Sequence, residues 1–188
     1  MRRPLTVQTQ FSCGKFIADH RIPPYFIAMS QKSSMRALVH RGVQHGDKIK
    51  QYGALCVRAT SVGTLEVLLI TTRQTKRWTI PKGWPIKGLE PHKVAEQEAW
   101  EEAGVIGRAK KRAFGSFTYT KRLAGGALTP ALVEVHVLDV GRCRRRFPEW
   151  NERTLLWLPP AEAARLIAEF ELQRILRQLQ NMSRRASP

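Results

Sequence analysis

Five of the chain's 15 acidic residues, Glu90, Glu96, Glu98, Glu101 and Glu102, fall within 13 consecutive positions. On a helix, side chains three and four residues apart share a face, so Glu98, Glu101 and Glu102 project to one side. Three like charges held together repel unless a counter-ion sits among them. A divalent cation of the Mg2+ or Mn2+ type accepts carboxylate oxygens, keeps part of its water shell and bridges to substrate phosphates. Such a centre suits cleavage of a phosphate linkage. The alternative for the same residues is a solvated acidic helix face paired to surface Lys and Arg.

The elements around these glutamates must hold them. Pro91 to Ala103 reads as a helix, with Pro91 in its first turn, good helix formers through Ala95, Glu96, Gln97, Glu98, Ala99, Glu101 and Glu102, and Gly104 just past its end. Before it, residues 51–60 and 65–72 read as two strands joined through Ser61, Val62 and Gly63, an antiparallel pair. Trp78, Thr79 and Ile80 form a short third strand, and Pro81 and Gly83 open a loop that runs through Gly88. After it come strands at about 106–123 and 130–140, a basic turn at 142–146 and a short run at 154–158. A final helix starts near Pro160 and continues to about Leu179, with Leu166, Phe170, Leu172, Ile175 and Leu179 giving its apolar face. The pattern supports a mixed α/β class.

At 188 residues with 43% hydrophobic content, the chain suits one packed domain with tails. We read residues 1–46 as a basic, mostly irregular extension, 47–180 as the domain and 181–188 as a tail. The extension is rich in Arg and poor in acid, a composition shared with organellar transit peptides, and Met29 and Met35 offer alternative starts. No apolar run is long enough to span a membrane and no secretory h-region precedes the domain, so a cytoplasmic location is expected. Cys13, Cys56 and Cys143 lack CxxC spacing and read as free thiols. The net charge of +17 implies an anionic partner, whether a phosphorylated small molecule, a nucleic acid or a membrane surface, and charge alone does not choose among them.

The stretch from Gly83 to Val105, GWPIKGLEPHKVAEQEAWEEAGV, resembles the Nudix box, G-x5-E-x7-R-E-U-x-E-E-x-G-U. Gly83, Glu98, Ala99, Glu101, Glu102, Gly104 and Val105 stand in matching places, and with its flanking strands the resemblance covers about residues 48–180. It implies an α/β/α sandwich with a mixed sheet. It also implies a hydrolase of phosphorus-containing anhydrides in which Mg2+ or Mn2+ polarises a diphosphate oxygen and activates water. Glu101 and Glu102 would be the principal metal ligands, Glu98 a ligand or a base, and Gly83 a backbone ligand. Leu89 and Gln97 depart from the pattern, standing where a supporting Glu and Arg are usual. Loss of both avoids stranding one buried charge, and Glu90, one residue out of register, is a second way to fill the gap. A base outside the box is sought at Glu134, Glu149 or Glu152.

Arg73, Lys76, Arg77, Lys82 and Lys87 flank the proposed site as a phosphate clamp suited to a polyphosphate. The string TTRQTKRWTIPKGWPIKG is similar to the Nudix subgroup that hydrolyses diadenosine polyphosphates and diphosphoinositol polyphosphates. Trp78, Trp84 and Tyr119 could stack on a base or fill the core. Lys121 and Arg122 are further phosphate contacts, whereas His92 and His136 lack a metal-spaced partner. Two other functions fit the same residues: removal of diphosphate from RNA 5′ ends, and a domain that binds nucleotide or RNA without turnover.

Overall fold

The computed structural model describes residues 49–123 and 126–186. The expected extension at 1–46, with Cys13, and the last residues of the tail lie outside them. Strands β1 (Ile49–Ala59) and β7 (Leu128–Cys143) form the centre of one mixed sheet, running parallel from Ile49↔Ala131 to Val57↔Asp139. Each central strand divides its outer edge between two partners. β1 pairs antiparallel with β2 (Leu65–Thr71) at one end and with β4 (Lys82–Gly83) at the other. β7 pairs with β6 (Gly115–Arg122) and with β5 (Val105–Ala109). β3 (Trp78–Thr79) pairs with Ile70 and Thr71 of β2, and β8 (Leu155–Leu158) runs antiparallel along Val67 to Ile70 on the other edge.

Alternation along β1 explains the layers. Ala54 and Cys56 face one side, where they pack with Leu68, Ile70 and Leu138 against Ala95, Ala99 and Ala103 of helix α1 (Pro91–Ala103). Leu55 and Val57 face the other, where Val67, Leu69, Phe117 and Val133 meet α2 (Pro160–Leu166) and α3 (Phe170–Ala186). A strand covered on both faces is a nearly continuous apolar run, as GALCV is. The result is an α/β/α sandwich in which, among the described residues, α1 is the one helix on its face, its alanines letting it sit close to the sheet.

The expected helix at Pro91 to Ala103 and the β1–β2 hairpin are present as read. Three elements differ. The stretch 106–123 is two strands, because the chain turns at 110–114 before pairing with a second segment of β7. The loop after Pro81 contains β4, a two-residue strand carrying no periodicity of its own. The final helix is broken at Ile167, whose extended backbone (φ −84°, ψ 139°) turns the chain so that Ile167 enters the core and both helices reach the same sheet face. The Gln173 amide donates to the Ile167 carbonyl at 2.9 Å and satisfies the break, and α3 then continues past Leu179 to Ala186.

α1 ends at Gly104, which has a left-handed backbone (φ 67°) and donates its N–H to the Trp100 carbonyl at 2.9 Å. A Cβ there would also collide with the Phe147 ring and the Arg144 carbonyl. Gly104→Ala is therefore expected to cost about 1–3 kcal/mol from the strained cap, with the collision adding to it. Urea unfolding, with a lowered midpoint and an unchanged slope, checks this.

Candidate active site

Glu98, Glu101 and Glu102 are all buried, at 4%, 7% and 7% exposure, on the α1 face nearest β4. Burying carboxylates is costly unless each finds hydrogen-bond donors or opposite charge. The Lys82 backbone N–H donates to Glu102 Oε2 at 2.9 Å, and the Arg153 guanidinium pairs with Glu102 Oε1. The Gln97 amide donates to Glu101 Oε1 at 2.7 Å. A Cβ added to Gly83 would overlap the Glu98 carboxylate, so this position of β4 is bare backbone pressed against an acid. Burial raises the Glu102 carboxyl above its ordinary range, and Arg153 and Lys82 oppose that rise.

Gln97 is itself buried, and its Oε1 accepts no hydrogen bond. It thus takes over one task of a cation at this position, orienting Glu101, without bringing a charge. Glu90 lies on the surface and pairs with Lys111 at 3.1 Å, which holds its carboxyl below the usual range. Glu96 points away from the trio. It receives the Ala109 N–H at 3.0 Å and Lys93 at 2.9 Å, fastening α1 to β5.

The basic residues divide into two groups. Arg73 pairs with Glu149 and with Glu152 at 2.6 Å, and Lys76 donates to the Glu152 carbonyl at 3.1 Å. Arg77 stands 3.8 Å from Glu169, and Lys87 is exposed on the loop after β4. Lys82 alone of the five reaches inward, its Nζ 5.3 Å from the Tyr119 ring centroid. Lys121 lies 5.4 Å from the Trp84 ring centroid. The Tyr119 hydroxyl donates to Gln51 at 2.7 Å, and Trp78 packs against the core.

Of the three acids outside the box, Glu149 accepts from Arg73 and Arg153, Glu152 from Arg73, and Glu134 lies 3.3 Å from Lys50 and 3.2 Å from His136. His136 also donates to the Lys110 carbonyl at 2.9 Å.

Sequence reasoning missed Arg153. It lies in the segment between β7 and β8 that wraps the C-terminal end of α1, where the Glu149 N–H donates to the Glu101 carbonyl at 3.0 Å. The available signal was an Arg one residue after Glu152 and four after Glu149, directly before the short strand. That spacing places one cation among acids.

The carboxylates fit a hard divalent cation by chemistry. The Glu98 carboxylate lies against the bare backbone of Gly83, where a larger residue would displace it, and Glu102 reaches the neighbouring Lys82 amide. Among the described residues, no three His, Cys, Asp or Glu side chains converge closely enough to hold a metal by themselves. An open half-site of this kind matches a cation that keeps water and takes phosphate oxygens as ligands.

The three-layer arrangement, with the glutamate helix on one face of a mixed sheet and two helices on the other, is the Nudix hydrolase fold. An Ap4A hydrolase of C. elegans, in a binary complex, matches at a TM-score of 0.54 and 20% identity, over 71% of this chain and 96% of that one. A Nudix hydrolase from Nitrosomonas europaea matches at 0.55 and 12%, over 73% and 91%. The MutT protein of Methanosarcina mazei Go1 matches at 0.51 and 16%, over 74% and 98%. No protein-family model matches the chain, and no curated protein does. No helix among the described residues is long and apolar enough to cross a membrane.

Burial pulls the Lys82 ammonium down from 10.5 to about 8; Glu102 opposes the fall, and Lys121 and Arg153 add to it. Between those values the folded chain binds fewer protons at Lys82 than the unfolded one. Its penalty on folding is therefore full below about pH 8 and fades as pH rises toward 10.5. A side-chain NMR titration should give Lys82 a midpoint near 8, and a midpoint in the ordinary lysine range would contradict the burial argument.

Proposed function

We propose that the chain is a metal-dependent pyrophosphohydrolase that cleaves a diphosphate linkage in a dinucleoside polyphosphate or a diphosphoinositol polyphosphate, with residues 47–180 as the catalytic unit. The observation that carries this reading is the burial of Glu98, Glu101 and Glu102 on one helix, with Glu98 against the Gly83 backbone and Glu102 on the Lys82 amide. Three contacts, from the Lys82 amide, Gln97 and Arg153, support Glu101 and Glu102, which a solvated acidic helix face would not require. The Ap4A hydrolase among the structural neighbours favours the substrate class.

In this reading Glu98, Glu101 and Glu102, with the Gly83 carbonyl, hold Mg2+ or Mn2+. When bound, the cation supplies Lewis-acid polarisation of a phosphoryl oxygen and lowers the pKa of a coordinated water. The chain's own residues do the rest. Gln97 and the Lys82 amide fix two of the carboxylates, so that little reorganisation is needed as charge develops. Lys82, Lys121, Lys87 and Arg77 offer positive charge for the polyphosphate chain, and Trp84 and Tyr119 offer flat surface beside it.

Purified protein assayed with Mg2+ or Mn2+ on diadenosine polyphosphates, diphosphoinositol polyphosphates and 5′-triphosphorylated RNA should turn over the small polyphosphates. Glu98→Gln should lower kcat about 10²–10⁴-fold. Gly83→Ala should do comparable damage by displacing the Glu98 carboxylate, while leaving the fold intact by circular dichroism. Metal-independent turnover, or full activity in Glu98→Gln, would contradict the proposal. Binding without turnover on any of the three would favour a nucleotide- or RNA-binding domain, with Leu89 and Gln97 the first positions to revert.

A further inference from the structure

Arg153 is as buried as the acids it serves, with its side chain 7% exposed. Its guanidinium is spent in three directions. Nε donates to Glu149 Oε2 at 2.9 Å, Nη1 donates to the Thr71 carbonyl at 2.9 Å, and Nη2 pairs with Glu102 Oε1. β2, the segment before β8, and α1 are therefore tied to one planar cation. The Thr154 N–H donates to Thr71 Oγ1 at 2.9 Å and the Thr71 N–H to the Thr154 carbonyl at 3.0 Å, fixing the backbone that carries it. Glu149 is fastened in turn by Arg73. Nothing in this arrangement resembles a mobile surface arginine.

We infer that Arg153 is a positioning residue that acts as a resident counter-ion of Glu102, holding the metal-free acid cluster folded while weakening divalent-cation binding until a polyphosphate adds its negative charge. The inference rests on the reading of Glu98, Glu101 and Glu102 as the metal-holding carboxylates. Both Glu102 oxygens already have partners, one the Lys82 amide and the other the guanidinium. A cation approaching Glu102 must share or displace the second and is repelled by its full positive charge. In a buried setting such repulsion is poorly screened. Substrate phosphates relieve it, because they supply ligands and charge that Glu102 cannot give alone.

Mn2+ binding measured by electron paramagnetic resonance on the full chain without substrate, at about pH 8 where protons compete least, tests this. Arg153→Gln should bind Mn2+ about tenfold more tightly than wild type, and Arg153→Lys, which keeps the charge, should stay near wild type. The Gln variant should lose thermal stability when metal-free and recover it on Mn2+ addition. Equal or weaker Mn2+ binding by Arg153→Gln would overturn the inference. A Glu98→Gln control separates the two levels. If it leaves Mn2+ binding unchanged, the metal site itself is wrong; if it weakens binding while Arg153→Gln does not strengthen it, the counter-ion role alone is wrong. Should Arg153→Gln fail to fold, the guanidinium 15N resonances of Arg153 in the wild-type chain decide. They should shift as Mg2+ saturates the site, and saturation that leaves them unmoved overturns the proposal.

Discussion

Glu101 and Glu102 occupy the last turn of α1, where the helix already carries its partial negative charge, and both are removed from solvent. Few placements of a carboxylate are less favourable. Surrounding features lower that cost from several directions: a backbone amide from β4, a side-chain amide from Gln97 and the guanidinium of Arg153. Each comes from a different part of the chain. The sheet, the broken edge of β1 and the segment before β8 are linked through their common duty to this helix end.

That duty explains details of the fold that packing alone leaves arbitrary. β1 pairs with β2 only near one end, so the rest of its edge is available to the two residues of β4, and Lys82 and Gly83 are thereby carried to Glu102 and Glu98. The segment after β7 could have left the domain surface. It instead caps Gly104 with Phe147, bonds the Glu101 carbonyl and delivers Arg153. On the opposite face, α2 and α3 contribute apolar burial, with the break at Ile167 allowing both to use it.

The helix and its three acids were legible in the sequence because their signals are local: Pro91 and Gly104 bracket a run of helix formers, and the glutamate spacing is a property of one element. The hairpin of β1 and β2 was legible for the same reason. β4 was not, since two residues have no period and Lys82–Gly83 becomes a strand only when β1 offers its edge. The proposed clamp was read from proximity in sequence, yet Arg73 and Lys76 turn to Glu149 and Glu152, some 76 positions away. Arg153 was invisible for a related reason. Its partners, Glu102 and Thr71, are separated from it by 51 and 82 positions and belong to different elements. Leu89 and Gln97 were visible as departures from the box, but the hydrogen bond from Gln97 to Glu101 required the helix face to be seen buried.

The central claim is that the buried acids of α1, and not the abundant basic surface, define where a polyphosphate is cut. Anomalous diffraction from crystals grown with Mn2+ and a non-hydrolysable diadenosine polyphosphate analogue tests it most directly. The account requires manganese in contact with carboxylates from Glu98, Glu101 and Glu102, bridged to phosphate oxygens lying on the Gly83 side of α1. Analogue bound with manganese elsewhere, or seated on the basic surface away from these acids, would contradict it.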